Sequence, residues 1–325
     1  MTAIGYALSS EEHGPRDLVR NARRAEEAGF TFALISDHYH PWIERHPHSP
    51  FVWGVLGAIA EATDRLVVGT GVTCPTMRIH PAIIAQAAAT AADLMPGRFF
   101  LGVGTGENLN EHILGAAWPE WDVRAEMLEE AVEVIRALWS GEMVSRRGGY
   151  FRVQNAQLYS LPESPPPIRV AAAGAKMAKI AARISDGLIS TAPDPKVIDT
   201  FHQGGGTGPT LGQMTVCWAQ SEDKARKTAL EWWPLAALHG EVSQELPNPS
   251  QFTDLAKSVT EDQIAESILC SPDAGRHLER IQQYADAGYD HVYIHQIGPD
   301  QDGFIDFMAR DVIPQVGKTT EPALA

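Results

Sequence analysis

The sequence predicts an α/β protein built as a (β/α)8 TIM barrel, and three observations carry that prediction. Short apolar, β-branched runs alternate with amphipathic stretches along nearly the whole chain. Eight such runs can be counted, the number that closes a parallel barrel. Polar residues with chemical capacity gather directly after several of them, as they do at the C-terminal ends of barrel strands. A two-domain dinucleotide-binding enzyme, the other common use of 325 residues, fits the strand count less well.

The elements follow in order. Residues 4–8 read as the first strand. Pro15 opens a helix whose Leu18, Ala22, Ala25 and Ala28 form one stripe, ended by Gly29. Phe32–Ile35 is the second strand, Val52–Ala62 the second helix, and 65–72 a third strand rich in β-branched residues. Pro81–Leu94 is an alanine-rich helix broken by Pro96-Gly97, and Phe99–Val103 is the fourth strand. Residues 123–138 carry the clearest helical periodicity in the chain. The stretch 141–167 leaves the rhythm, with a Gly148-Gly149 turn and then prolines, and reads as a β-hairpin insertion plus linker. Strands at 168–172, 187–190, 213–219 and 291–295 complete the set. Between and after them come helices from about 176, at about 222–237 and 272–287, and a closing helix at 304–312. Residues 1–325 are expected to form a single domain with a frayed tail at 317–325.

Composition narrows the function. A hydrophobic share of 44% and a charged share of 21% are those of a globular protein in water. The net charge of -15 argues against nucleic acid or an anionic membrane as partner. No apolar stretch approaches a membrane span, and the N-terminus shows no secretory pattern. Cys74, Cys217 and Cys270 lie far apart, which suits a reducing cytoplasm.

Chemistry concentrates at three strand ends. The second strand stops in Ser36-Asp37-His38-Tyr39-His40-Pro41-Trp42. There an acid can orient an imidazole, His38 or His40 can move a proton near neutral pH, and Trp42 can exclude water. After the fourth strand, Gly102, Gly104 and Gly106 let backbone approach a ligand, with Glu107 and Asn110 as a polar edge. The spacing is not that of a dinucleotide fingerprint. After the fifth, Ala171-Ala-Ala-Gly174-Ala-Lys176-Met177 opens a helix whose free N–H groups and lysine suit an anion. The pair His38/His40 also permits a metal-dependent barrel hydrolase, but His295 and His291 offer it no strong carboxylate partner at the last strand. Trp118, Trp121, Trp139, Trp232 and Trp233 read as core or interface residues rather than ligand stackers.

Four motifs together resemble the coenzyme F420-dependent glucose-6-phosphate dehydrogenases of the luciferase-like barrel superfamily. They are Ser36-Asp-His-Tyr-His-Pro-Trp42, Gly69-Thr-Gly-Val72, Gly102-Val-Gly-Thr-Gly-Glu-Asn-Leu-Asn-Glu111 and Ala172-Ala-Gly174, and the likeness spans residues 4–316. The resemblance implies a luciferase-like barrel that binds coenzyme F420 at its C-terminal mouth and acts as a homodimer. It implies that His38 takes the substrate's hydroxyl proton, that Glu107 serves as acid toward the cofactor, and that Trp42 helps hold the reacting centre. Asp37, Gly71, Val72, Asn110, Ala173 and Gly174 match cofactor contacts, with the helix start at Lys176 and Met177 and the cation Arg78 nearby for its anionic tail. The Gly71–Val72 bond matches a cis non-prolyl peptide. The chain departs from the family at the phosphate clamp, where Asp194, Asp254 and Ser267 stand in place of two lysines and an arginine. Acids there repel a phosphate. The expected substrate is therefore a non-phosphorylated sugar or secondary alcohol, unless Lys196, Lys257 and Arg276 supply a relocated clamp.

Overall fold

In the computed structural model, which describes residues 2–238 and 242–316, the apolar runs become strands buried on both faces. Strands β1 (Ala3–Leu8), β2 (Phe32–Ile35), β3 (Val67–Thr70) and β4 (Phe99–Val103) come first, then the inserted antiparallel pair β5 (Val144–Arg147) and β6 (Arg152–Ala156). β7 (Ile168–Ala171), β8 (Leu188–Ser190), β9 (Thr210–Cys217), the short β10 (Leu269–Cys270) and β11 (His291–Gln296) follow. Parallel pairing runs β1-β2-β3-β4-β7-β8-β9-β11 and returns to β1, closing an eight-stranded barrel. β10 lies outside the ring, paired to the end of β9.

The helices pack around the ring and over its mouth: α1 (Pro15–Ala28), α2 (Val52–Ala62), α3 (Pro81–Leu94), the one-turn α4 (Asn108–Glu111), α5 (Trp121–Leu138), α6 (Ala175–Ile184) and α7 (Pro195–Gln203). After them come α8 (Glu222–Trp232), the one-turn α9 (Val242–Glu245), α10 (Pro249–Ala256), α11 (Glu261–Ser267), α12 (Ala274–Asp286) and α13 (Gln301–Phe307). The stripe expected on α1 is buried at Leu18, Ala22 and Ala25, and Gly29 ends the helix at φ 96°, the left-handed conformation glycine adopts freely. Inside the ring a separate apolar cluster forms from Phe32, Leu34, Phe100, Ile189, Leu211 and Tyr293. A Cβ on Gly69 would lie 2.1 Å from the Phe100 ring, so that glycine lets the aromatic ring fill the barrel.

Two carboxylates tie the scaffold together. Glu26 on α1 accepts from the N–H groups of Asp64, Arg65 and Leu66 as the chain enters β3. Glu130 on α5 accepts from Gly149, Tyr150 and Phe151, at 3.0, 3.0 and 2.9 Å, and so holds the inserted hairpin against the barrel. The structure differs from the sequence reading in helix boundaries and in added elements. The helix at about 222–237 ends at Trp232 and continues as a 3-10 turn, and the closing helix begins at Gln301. Helices α4, α7, α9, α10 and α11, with β10, occupy stretches where the sequence analysis places no element. The tail expected to fray, 317–325, lies outside the described residues. Among those residues no helix is long and apolar enough to cross a membrane.

Candidate active site

The C-terminal ends of the barrel strands enclose a cleft of about 770 Å³, large enough for a cofactor-sized ligand. On its β1–β2 side stands His38. Its Nε2 lies 3.3 Å from Glu11 Oε1 and 3.5 Å from Glu107 Oε2. On the other side of the ring, Nδ1 is 3.2 Å from the carbonyl of His40. The same Nδ1 lies 3.2 Å from Asn110 Nδ2, so one edge of the ring meets a carbonyl and an amide while Nε2 faces the two carboxyls. Burial bears most heavily on His38 and disfavours its charge, yet the carboxylates of Glu11 and Glu107 outweigh it and raise its pKa above the ordinary histidine value.

The two carboxyls are not equivalent. Burial pushes Glu11 up, but the imidazole of His38 and the Ser36 hydroxyl, which donates to it at 2.6 Å, bring its pKa below the usual value. Glu107 is raised, first by burial and then by the charge of Glu11, with His38 and Asn110 opposing. One imidazole thus faces two carboxyls whose pKa values move in opposite directions, Glu11 down and Glu107 up. Trp42 packs against His38, ring centroids 5.0 Å apart, and against Phe252 behind it.

Asn110 braces this corner. Its Oδ1 accepts from the N–H groups of Tyr39 and His40, at 2.9 and 3.2 Å, and its Nδ2 donates to Glu107 at 3.0 Å. Asp37 lies beneath, with Oδ1 taking a hydrogen bond from Arg78 at 2.8 Å and Oδ2 one from Thr73 at 2.7 Å. Arg78 also pairs with Glu111. Burial pushes the Glu111 carboxyl up to about 7, with Asp37 and Glu107 adding to the rise and Arg78 opposing it. The guanidinium of Arg78 is only 6% exposed and faces these two acids. It is therefore a buried tie between β2 and α4 rather than the free cation expected from the sequence.

The opposite wall is built from small residues. Gly71, Val72, Gly104, Ala171, Ala172, Ala173 and Gly174 line it, and the Gly71–Val72 peptide is cis. A Cβ on Gly174 would meet nothing within 4 Å, so backbone borders the open cleft directly at the start of α6. Gly174 caps α6 in an extended conformation without a side-chain hydrogen bond, and Met177 lies one turn into the helix. Lys176 stands at the rim, paired with Asp122 and 4.1 Å over the Trp121 ring. A flat ligand with an anionic extension fits this wall of methyls, free N–H groups and one lysine.

Several expectations need correction. His40 turns away from the cleft: its Nδ1 meets the carbonyl of Leu109 at 2.8 Å and its ring stacks on His112. His38 and His40 therefore face different partners, and the hydrolase reading loses its ligand pair. Trp121 and Trp233, expected in core or interface, line the cleft, whereas Trp139 is buried in the core. Glu11 and Glu12 were not singled out by the sequence. Glu12 accepts from Gly298 N–H at 2.9 Å and lies 3.0 Å from His295 Nε2. The sequence signal for both was Ser9-Ser-Glu-Glu-His13 directly after β1, the same pattern of polar residues at a strand end.

An imidazole between two carboxyls at the C-terminal mouth of a parallel barrel, with a cleft of cofactor size beside it, is the arrangement of a barrel enzyme. The chain belongs to the luciferase-like monooxygenase family, whose model matches residues 1–291. It is similar to the F420-dependent glucose-6-phosphate dehydrogenase of Intrasporangium calvum, at 37% identity over 330 residues, covering 97% of this chain and 98% of that protein. The enzyme of the same description from Microbacterium testaceum is 37% identical over 328 residues, covering 97% of each. Among solved structures, an F420-dependent secondary alcohol dehydrogenase in complex with an F420–acetone adduct superposes with a TM-score of 0.91 at 32% identity, over 98% of this chain and 99% of that one.

Proposed function

We propose that this chain, as one barrel domain, is a coenzyme F420-dependent oxidoreductase acting on the CH–OH group of a small alcohol or sugar. The observation that carries the reading is His38 Nε2, held between the carboxyls of Glu11 and Glu107 at the edge of the cleft. When bound, the deazaflavin supplies a carbon that accepts or returns hydride. His38 Nε2 removes the hydroxyl proton in oxidation and returns it in reduction, and Glu11 stabilises the imidazolium between those events. Glu107, whose pKa burial raises, is the acid toward the cofactor's edge in this reading. Trp42 shields the reacting atoms from water. Gly71, Val72, Ala173, Gly174 and Met177 hold the ring, with Lys176 at its anionic end, while Asp37 and Asn110 fix the backbone that carries His38.

The substrate in this reading is not phosphorylated. Asp194 caps α7, Asp254 pairs with Lys257, and Ser267 bonds the carbonyl of Gln263 within α11. Arg276 pairs with Glu222. Neither these residues nor Lys196 line the cleft, whose basic side chains among the described residues are His38, Lys176 and His295. We also read the protein as a cytoplasmic homodimer; cell fractionation tests the location and light scattering the mass.

Fluorescence titration should show F420 binding in preference to FMN and NADP. In a panel of alcohols and sugars, His38→Ala should lower turnover by about 10²–10⁴ with F420 affinity nearly unchanged. Full activity without His38 would overturn the assignment of the base. Saturable oxidation of glucose 6-phosphate with strong preference over glucose would establish a relocated phosphate clamp instead.

A further inference from the structure

We infer that Arg124 is a positioning residue that fixes Gln244 as a hydrogen-bond donor for an anionic oxygen of the cofactor's tail. The inference rests on the F420 reading. It starts from α9, a single turn whose Ser243 and Gln244 line the cleft. Residues of the α4–α5 segment hold this turn in place. Asn108 Nδ2 donates to the carbonyl of Glu245 at 2.8 Å, and Trp118 Nε1 donates to its carboxylate at 3.3 Å. Arg124 Nη2 donates to Gln244 Oε1 at 3.0 Å, and Nη1 lies 3.5 Å from Glu245 Oε1. Arg124 itself is 2% exposed, stacked on the Trp118 ring at 4.2 Å and donating to the carbonyl of Pro119 at 2.7 Å.

That arrangement settles which end of the Gln244 amide serves the cleft. A guanidinium can only donate, so the amide oxygen must face Arg124. The amide nitrogen, a donor, is what remains for a ligand. Three residues before Arg124 on α5, Trp121 lines the cleft and supports Lys176. Gln244, Lys176 and the uncapped start of α6 therefore bring donors to one wall, and Asp122, which holds Lys176, is the acid among them. In a chain of net charge -15, an anion needs such local donors. The chemistry recognised is a phosphodiester or carboxylate oxygen. F420 carries both in its tail, and its deazaflavin–ribityl core lacks them.

Titrating F420 and that core against wild type and variants tests the inference by binding alone. Gln244→Leu should weaken F420 by about tenfold, as expected for loss of a hydrogen bond to a charged group. Its affinity for the core should change by less than about twofold. Gln244→Glu should weaken F420 further, since a carboxylate would stand beside the anion. Arg124→Met should reproduce Gln244→Leu, and Arg124→Lys should recover part of the loss. Should Arg124→Met fail to fold, the Gln244 variants carry the test. Equal losses for F420 and core would overturn the inference. So would unchanged F420 binding with a raised KM for alcohol, which would place Gln244 on the substrate; in both cases the F420 reading stands. A wild type that binds neither F420 nor its core overturns that reading, and this inference with it.

Discussion

The charge on Glu11 sets the pH at which His38 can work. Oxidation needs the neutral imidazole, so kcat/KM should rise with pH through the pKa of His38, which lies above the ordinary histidine value. Glu11→Gln removes one of the two carboxylates that raise it. The acid limb of the profile should therefore move to lower pH, and the plateau should fall because the imidazolium loses its anionic partner. A profile measured from about pH 5 to 9 that keeps its midpoint would show that Glu11 does not tune this base. His38, Trp42 and Glu107 were legible because each sits in a motif next to a strand. Glu11 was not, because its partnership with His38 depends on β1 and β2 pairing in the register Leu8↔Ile35. That register brings residues 27 apart in sequence to 3.3 Å in space. Trp233 and Gln244 lie farther still along the chain, and nothing local in the sequence points them at the cleft.

At the level of elements, Glu26 shows how one side chain can join a helix to a strand. Its carboxylate satisfies three consecutive backbone N–H groups, which draws its pKa below the usual value although burial alone would raise it. Glu26→Ala should destabilise the fold by about 1 kcal/mol, the net worth of a typical hydrogen bond, because only the Leu66 donor is shielded from water. Chemical denaturation checks this, and F420 affinity should stay the same because Glu26 is remote from the cleft. A variant as stable as wild type would mean that water replaces the carboxylate at no cost. The barrel strands were legible because parallel strands buried on both sides read as apolar runs. The elements of 191–212 and 238–271 were harder to see. α7 buries only Val197, Ile198 and Phe201, and α10 and α11 bury one residue each, Phe252 and Ile264. So short a stripe gives little periodicity, though Asp194 before Pro195 was a usable helix-start signal.

Across the whole molecule, the outer faces of α2 and α3 differ from the rest of the acidic surface. Gly54, Gly57 and Ala58 on one helix, with Ala87 and the exposed Ile83 and Leu94 on the other, form a nearly uncharged face suited to a second copy of the chain. A Cβ at Gly57 would meet nothing within 4 Å, so a longer side chain there leaves the monomer fold intact. Gly57→Glu should convert a dimer to a monomer by light scattering, because an unpaired carboxylate would be buried between subunits. A mass that stays dimeric would exclude this face.

The seam of the barrel has a consequence for how the enzyme is made. β1 lies between β2 and β11, and its two acids are met from opposite sides, Glu11 by His38 and Glu12 by His295. During synthesis the first pair can meet as soon as β2 emerges. The second must wait for the last strand. A chain released early would carry its base without the brace on the other side, so the ribosome delivers a working mouth only when the ring can shut.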